Sequence, residues 1–229
     1  MAARRPGSSR GKAHRFGGDW TTSKLTILGE YLERYATALK KQPFQTEYID
    51  AFAGTGYRVL ADEQQSENLM FPDLAADAPQ ALLDGSARIA LSTTPRFNKY
   101  VFIEQSAKRC RELEALRTEF PLLAADIDVR RGDANAEIRT LCSRTWSSRR
   151  AVLFLDPYGA QVEWTTIEAI AATKAIDLWL LFPLGIGVNR LLTKSGEKCP
   201  LYLFCFACGN PKGAPIALRI ANHLLNTVG

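Results

Sequence analysis

Histidine is almost absent from this chain of 229 residues, and its two copies, His14 and His223, lie near opposite ends. A Ser–His or Cys–His nucleophile needs a histidine that the fold holds beside it, so this placement argues against both. Long apolar runs are also missing. The longest, Leu178–Val188, is interrupted by Pro183 and is too short to span a bilayer, and the first residues lack the apolar core of a signal peptide. We therefore expect a cytoplasmic protein.

The body of the chain has no excess of charge, although the formal net charge is +5. Five cations lie in the first fifteen residues: Arg4, Arg5, Arg10, Lys12 and Arg15. The remaining 24 Lys and Arg balance the 24 Asp and Glu. A Gly/Ser/Arg-rich segment of this kind is typical of disorder, and it either holds nucleic-acid phosphates loosely or keeps the protein soluble. We predict a disordered basic tail over residues 1–19 and a single domain over residues 20–229, whose sequence offers no evident phosphate track.

Cysteine is too sparse and too scattered to form a clear metal site. Cys205 and Cys208 are three residues apart in an apparent strand, so their side chains should point to opposite faces. Cys199 precedes them, and no fourth ligand is near. We expect no metal, and free thiols packed in the core of a protein from a reducing compartment.

Apolar segments alternate with helical patterns five times, which predicts a parallel sheet with helices on both faces. The predicted strands are Thr46–Phe52, Lys99–Ile103, Ile127–Arg131, Ala151–Leu155 and Ala175–Phe182, with Leu201–Cys208 as an edge strand. The predicted helices cover Thr21–Lys41, Pro79–Ser92, the segment after Ser106 up to Pro121, Asn135–Trp146, the segment from Thr165, and Pro215–Thr227. We predict a Rossmann-like doubly wound methyltransferase sheet with strand order 3-2-1-4-5 plus the edge strand.

Helix starts are predicted from capping residues. Thr21 or Thr22 should cap the first helix, Ser106 the third, and Thr165 with Glu168 should form a capping box. Lys24 would then lie in the first helical turn, where a cation opposes the helix dipole. Such a placement hints at function, with a solvated lysine as the alternative.

The segment Y-I-D-A-F-A-G-T-G, residues 48–56, carries the first chemical signal. It predicts a strand that runs into a turn at Gly54 and Gly56, where ligands approach backbone N–H groups. Val59 replaces the third small residue of a dinucleotide fingerprint, and no Walker lysine follows the glycines. The long polar segment from Tyr57 to Asp84 predicts a loop beside this site.

An acid closes each of four successive strands, and in such sheets ligands bind outside the carboxyl ends of the strands. The four are Asp50, Glu104, Asp133 and Asp156. Glu104 could accept from ribose hydroxyls, Asp133 from an adenine amino group, and Asp50 from an ammonium. S-adenosylmethionine has all three groups. We therefore predict that it binds at Asp50, Phe52, Gly54, Gly56, Glu104, Asp133 and Ala134.

The turn Asp156-Pro157-Tyr158-Gly159 is the candidate for catalysis. Methyl transfer requires an oriented acceptor, and an aspartate on a rigid proline turn can accept the hydrogen bond that exposes the acceptor lone pair. Tyr158 offers a face on which a planar base can stack. Lys24 is a lesser catalytic candidate. The alternative is a structural turn in which the aspartate caps and the tyrosine packs.

Five motifs in order resemble the three-Cys-motif partner protein family, over about residues 20–198. They are Y-I-D-A-F-A-G-T-G, V-F-I-E-Q, R-G-D-A-N, L-F-L-D-P-Y-G and L-L-F-P-L-G-I-G-V-N-R-L-L. These are bacterial proteins with a class I S-adenosylmethionine-dependent methyltransferase-like fold, encoded beside a radical-S-adenosylmethionine-like protein with a three-cysteine motif. Trp20, Lys24, Gly85-Ser86 and Asn189-Arg190 also look like the family's pattern.

The chain departs from that pattern in two places. The turn at Asp156 resembles the D-P-P-Y motif of amino-methyltransferases but lacks one proline, and the long helical segment expected before the last strand is missing. The resemblance therefore implies two possible functions. One is methyl transfer to an amino group of a nucleic acid or other planar acceptor. The other is a non-catalytic or cofactor-binding partner subunit of the three-cysteine protein.

Overall fold

The computed structural model describes residues 18–53, 85–157, 160–184 and 202–227, and the side chains of these residues from Ser23 onward. Its elements in chain order are α1 (Gly18–Leu39), β1 (Gln45–Ala51), α2 (Ser86–Ser92), β2 (Lys99–Glu104), α3 (Ala107–Glu119), β3 (Ile127–Arg131), α4 (Ala134–Cys142), β4 (Arg149–Leu155), α5 (Trp164–Thr173), β5 (Ile176–Pro183), β6 (Tyr202–Cys208) and α6 (Ala214–Thr227). A single 3₁₀ turn, Pro121–Leu123, follows α3.

The described strands form one sheet in the order β3-β2-β1-β4-β5-β6. The first five are parallel, and β6 pairs antiparallel with β5 at the edge. The predicted Rossmann-like α/β fold, its 3-2-1-4-5 order and its edge strand are therefore confirmed. Because β1 connects outward to β2 on one side and borders β4 on the other, the strand order reverses between β1 and β4, where doubly wound sheets bind ligands.

Alternation along the strands divides the core into two layers. Tyr48, Phe102 and Phe154 point to the face covered by α1, α2, α3 and α6, and Ile49 and Leu153 point to the face covered by α4 and α5. Strand interiors are buried on both faces, as the near-continuous apolar runs predict for a parallel sheet.

Helix α1 is fixed over β5 by a buried polar and aromatic contact. The Tyr31 hydroxyl donates to Asp177 Oδ2 at 2.7 Å, and its ring packs edge-on against Trp179 at 5.2 Å. An aromatic pair of this kind contributes about 0.5–1.5 kcal/mol beyond its area burial. Lys24 is seven residues before Tyr31, two helical turns away on the same face, so this contact also sets where Lys24 meets the sheet.

The predicted start of α1 was wrong. The helix begins at Gly18, so neither Thr21 nor Thr22 is its N-cap, and Lys24 lies in the second turn instead of the first. The cation therefore does not oppose the helix dipole as expected. The greater part of the predicted tail, residues 1–17, lies outside the described residues.

Of the other two capping predictions, the one for α3 is confirmed in position but not in its side-chain bond, and the one for α5 was wrong. Ser106 is at the N-cap position of α3 without a side-chain cap, and its own N–H donates to Glu104 Oε1 at 2.8 Å. Helix α5 begins at Trp164 after Glu163, and Glu168 accepts from Trp164 Nε1 at 3.0 Å, so the predicted capping box does not form. Helix α4 also ends at Cys142, before the predicted Trp146.

Other boundaries agree within about two residues, although part of the predicted helix over residues 79–92 and all of the predicted loop over residues 57–84 lie outside the described residues. Within the described ranges, no helix is long and apolar enough to cross a membrane.

Candidate functional site

The site is assembled where β1 and β4 end side by side. Asp50 is paired in register with Phe154, and Ala51 with Leu155, so Asp156 follows directly at the carboxyl edge of the sheet. Asp50 has the same alternation as Tyr48 and points to the α1 and α2 face. Two of the predicted acids therefore lie close together.

Lys24 and Asp156, both predicted as catalytic candidates, form an ion pair in which Lys24 Nζ donates to Asp156 Oδ2. Lys24 is only 8% exposed, so it is not the solvated lysine of the alternative interpretation. The Asp156 side chain keeps 29% of its surface exposed. The arrangement holds an amine nitrogen against a carboxylate that solutes can still reach.

Asp50 is fully buried beside this pair. Its Oδ2 accepts hydrogen bonds from Ser86 Oγ and from the Tyr48 hydroxyl, the latter at 3.2 Å. Its Oδ1 is buried and has no hydrogen-bond partner among the described residues. Burial raises the pKa of Asp50 to about 7; Ser86, Tyr48 and Lys24 counteract this, and the Asp156 carboxylate adds to it. Asp50 is therefore a buried acid that titrates near neutrality.

Tyr48 and Ser86 belong to this site, and the sequence interpretation did not single out either as functional. Burial raises the pKa of Tyr48 well above its usual value, with Asp50 adding to the effect, so the phenol stays a donor. Tyr48 could have been found, because residues two apart on a strand share a face. Ser86 is 36 residues from Asp50, and only the Gly85-Ser86 resemblance pointed to it.

Glu104 ends β2 as predicted, but its carboxylate is already engaged. Oε1 accepts from the Ser106 N–H, and Oε2 lies 3.7 Å from Nη1 of Arg109. The Cys110 thiol donates to the Glu104 carbonyl at 3.3 Å. The side chain is buried at 6% exposure, so ribose hydroxyls would have to share this carboxylate with Arg109 and a backbone N–H.

Asp133 and Ala134 lie at the start of α4. Asp133 is the N-cap, and its Oδ1 accepts from the Ala136 N–H at 2.9 Å, while Ala134 is buried. The side chain of Asp133 is exposed, as is typical of an N-cap residue. Capping and ligand binding are compatible, because the cap uses one oxygen.

Phe52 follows β1 directly and has a rare backbone conformation, with a φ of 85°. Its N–H and that of Ala53 both donate to the Ile103 carbonyl, at 3.1 and 3.2 Å. A bulky residue at positive φ is strained, and such strain is concentrated at functional sites. Gly54 and Gly56, which follow, lie outside the described residues.

Asn135 anchors the chain that leads away from Asp156. Its Nδ2 donates to the Gln161 carbonyl at 2.8 Å, and its Oδ1 accepts from the Glu163 N–H at 3.0 Å and from Thr166 Oγ1 at 2.9 Å. Pro157 is buried, which favours a fixed turn, and Tyr158 lies outside the described residues. Asn135 is a positioning residue that the sequence interpretation missed.

The cysteines offer no metal site in the described part of the chain, where no group of three or more potential ligands is found. Cys110, Cys142, Cys205 and Cys208 are free and half-buried, at the border of the core instead of inside it as predicted. Burial raises the pKa of Cys208 to about 12, so this thiol is a poor nucleophile. Cys199 lies outside the described residues.

No protein-family model matches the chain, and no curated protein is detectably similar to it. Among solved structures, the chain resembles protein LPL1258 from Legionella pneumophila strain Philadelphia 1, of the family-model DUF519. The two are 15% identical, the match covers 94% of each chain, and the TM-score is 0.52. A second match, to a proposed methyltransferase, yhhF from Escherichia coli, has 14% identity, covers 86% of this chain and 97% of the other, and has a TM-score of 0.39. At these identities the likeness to LPL1258 concerns the fold alone.

Proposed function

We propose that this protein is an S-adenosylmethionine-dependent methyltransferase acting on an amino group of a nucleic acid or another planar acceptor. The observation that carries the proposal is the Lys24–Asp156 pair. A carboxylate at the switch point of a doubly wound sheet accepts a hydrogen bond from an amine nitrogen and stays partly exposed. That is the contact an amino-group acceptor requires.

The residues present fit the cofactor. Asp50 Oδ1, a buried carboxylate oxygen without a donor in the described part of the chain, suits the ammonium of the methionine moiety. Glu104 would hold the ribose, Asp133 and Ala134 would flank the adenine, and the backbone from Phe52 through Gly54 and Gly56 would line the cofactor. When bound, S-adenosylmethionine supplies a methyl group that its sulfonium has already activated.

The chain's own contribution is to orient the acceptor. Asp156 accepts a hydrogen bond from the acceptor amino group and so directs the nitrogen lone pair, while Pro157 fixes the turn and Tyr158 stacks on a planar base. Lys24 holds the Asp156 carboxylate through Oδ2. Asn135 fixes the segment that follows, because it binds Gln161 and Glu163.

The same ion pair also favours a second candidate, a partner subunit of a three-cysteine radical-S-adenosylmethionine-like protein. A carboxylate compensated by a buried ammonium is a weaker acceptor, and the turn lacks the second proline of D-P-P-Y. In this alternative the chain keeps the cofactor site without transferring the methyl group itself.

Methyl transfer from radiolabelled S-adenosylmethionine into mixed cellular RNA and denatured DNA tests the proposal. Asp156→Asn should lower transfer by about 10²–10⁴, the range for a positioned acid–base group, and leave cofactor affinity nearly unchanged. Glu168→Gln, an exposed change on α5, is the control and should transfer normally. Unchanged transfer by Asp156→Asn would reject Asp156 as the orienting residue. No transfer by the wild type, with co-purification of the three-cysteine protein, would favour the partner-subunit function.

A further inference from the structure

Two basic segments that are far apart in sequence meet at the carboxyl edge of the sheet. Helix α3 begins directly after β2 with Lys108, Arg109 and Arg111, and β3 ends in Arg131, which is paired in register with Glu104. We call these four cations the basic rim. It lies beside Glu104, on the β2–β3 side of the candidate site.

The rim cations are poorly placed for the stability of the fold. Lys108 and Arg109 occupy the first turn of α3, where cations oppose the helix dipole and where no acid is present. Lys108, Arg111 and Arg131 are exposed, and none of them forms an ion pair within the described residues. Residues that are locally unfavourable are often retained for function.

Two acids, Glu104 and Asp133, lie at the strand ends beside the rim. Glu104 is buried and shares its charge with Arg109, which is 39% exposed and 3.7 Å away. Asp133 is exposed but caps α4. Lys108, Arg111 and Arg131 are therefore exposed cations next to the candidate site, without an ion pair to any acid among the described residues.

The cations near the amino ends of the strands, at the opposite edge of the sheet, have different contacts. There the buried Glu47 accepts from Arg144 at 2.8 Å and from Arg149 at 2.5 Å. The Arg150 guanidinium lies 3.9 Å from the Phe44 ring centre and donates to the Trp146 carbonyl. These three arginines are bound within the fold, as Arg109 of the rim is, whereas Lys108, Arg111 and Arg131 form no ion pair among the described residues.

We propose that the basic rim binds the phosphates of a single-stranded nucleic acid and brings an acceptor base to the neighbouring site. This inference rests on the proposed function, because it names the substrate class of the same site. Phosphate contacts fix the register of a strand without reading its sequence. A base must be unstacked to reach a catalytic carboxylate, so a single strand is the suitable form.

Fluorescence anisotropy with labelled 20-nucleotide single-stranded RNA and DNA, measured over a salt series without cofactor, tests the rim. The variant Lys108→Gln/Arg111→Gln/Arg131→Gln leaves Arg109 and its contact with Glu104 in place. A control variant, Lys40→Gln/Lys41→Gln/Lys174→Gln, removes the same charge from exposed positions at the opposite edge. Circular dichroism and melting temperature establish that both variants are folded.

The wild type should bind at least one of the two strands, and the rim variant should lower the slope of log K against log salt by about 2, since each phosphate contact contributes about 0.7. The control should leave the slope unchanged. An equal loss in both variants, or no binding by the wild type, would overturn the rim proposal. Calorimetry with S-adenosylmethionine, in which the rim variant should match the wild type, reports separately on the proposed function. A protein that binds the strand without the cofactor refutes only the methyltransferase proposal, and one that binds the cofactor without the strand refutes only the rim.

Discussion

The ammonium of Lys24 lies against Oδ2 of Asp156, although the two residues are 132 positions apart in the chain. The contact joins the second turn of α1 to the end of β4, and it places a buried cation next to Asp50 as well, whose pKa Lys24 lowers against the larger effect of burial. Two carboxylates and one ammonium thus share the switch point of the sheet. We expect the stability of the fold to depend on this group, and under the proposed function the orientation of the acceptor depends on it too.

Removal of the cation should destabilise the protein. Lys24→Met keeps the length of the side chain and leaves Asp156 without its partner. Losing one member of a fully buried pair costs about 3–5 kcal/mol, and we expect about 1–3 kcal/mol here because Asp156 is partly exposed. Urea unfolding measures it. Arg34→Met, which breaks an exposed pair with Glu30 on the same helix, should cost no more than about 0.5 kcal/mol. Equal losses in the two variants would contradict a structural role for the Lys24–Asp156 pair.

Asp50 should make stability fall as the pH rises. Because its pKa is about 7 in the folded protein and 3.8 for an ordinary aspartate, the folded state binds more protons than the unfolded state between about pH 4 and 7. Its contribution to the free energy of unfolding therefore decreases through that window and is constant above it. Asn at position 50 cannot ionise, so the free energy of unfolding of Asp50→Asn relative to the wild type should rise by about 2–3 kcal/mol between pH 5 and pH 8.

Urea titrations at the two pH values measure this difference, with Asp128→Asn as control. Burial opposes ionisation of Asp128, but hydrogen bonds from Lys99 and Arg130 keep its pKa below the usual range. Its titration therefore lies below pH 5, and the difference between Asp128→Asn and the wild type should not vary between pH 5 and pH 8. A difference for Asp50→Asn that is also independent of pH would show that Asp50 is ionised throughout.

Replacement of Asn135 should destabilise the protein. Asn135→Ala leaves the buried Thr166 hydroxyl without its acceptor and also removes the half-buried bonds to the Glu163 N–H and the Gln161 carbonyl, so we expect a loss of about 1–3 kcal/mol. Methyl transfer should also fall, because the segment after Asp156 is released. Thr140→Ala on the same helix removes an exposed bond to the Ala136 carbonyl and should cost less than about 0.5 kcal/mol. Similar denaturation midpoints for the two variants would refute the anchoring role.

The sheet could be predicted from the sequence because its signals are local. Apolar runs such as the one in Lys99–Glu104 predict the strands, and alternation with helices predicts that the strands are parallel. Helix starts depend on tertiary contacts that no local pattern contains. Asn135 binds the Glu163 N–H and Thr166, so α5 starts without the capping box that Thr165 and Glu168 would form.

The candidate site was predictable only in part. That acids would gather at the carboxyl edge follows from strand order, and Asp50 and Asp156 do lie on neighbouring strands. The contact with Lys24 depends on how α1 is rotated over the sheet, which the Tyr31–Asp177 hydrogen bond fixes. Complete burial of Asp50 depends in addition on the docking of Ser86, for which sequence spacing holds no information.

Cofactor binding is the central claim, and titration calorimetry with S-adenosylmethionine tests it most directly. The wild type should bind, and Asp156→Asn should bind with nearly the same affinity. Glu104→Gln should bind about tenfold to a hundredfold more weakly, because a charge-assisted hydrogen bond is worth about 1.5–3 kcal/mol. Absence of detectable binding by the wild type, or equal affinity in Glu104→Gln, would contradict the account.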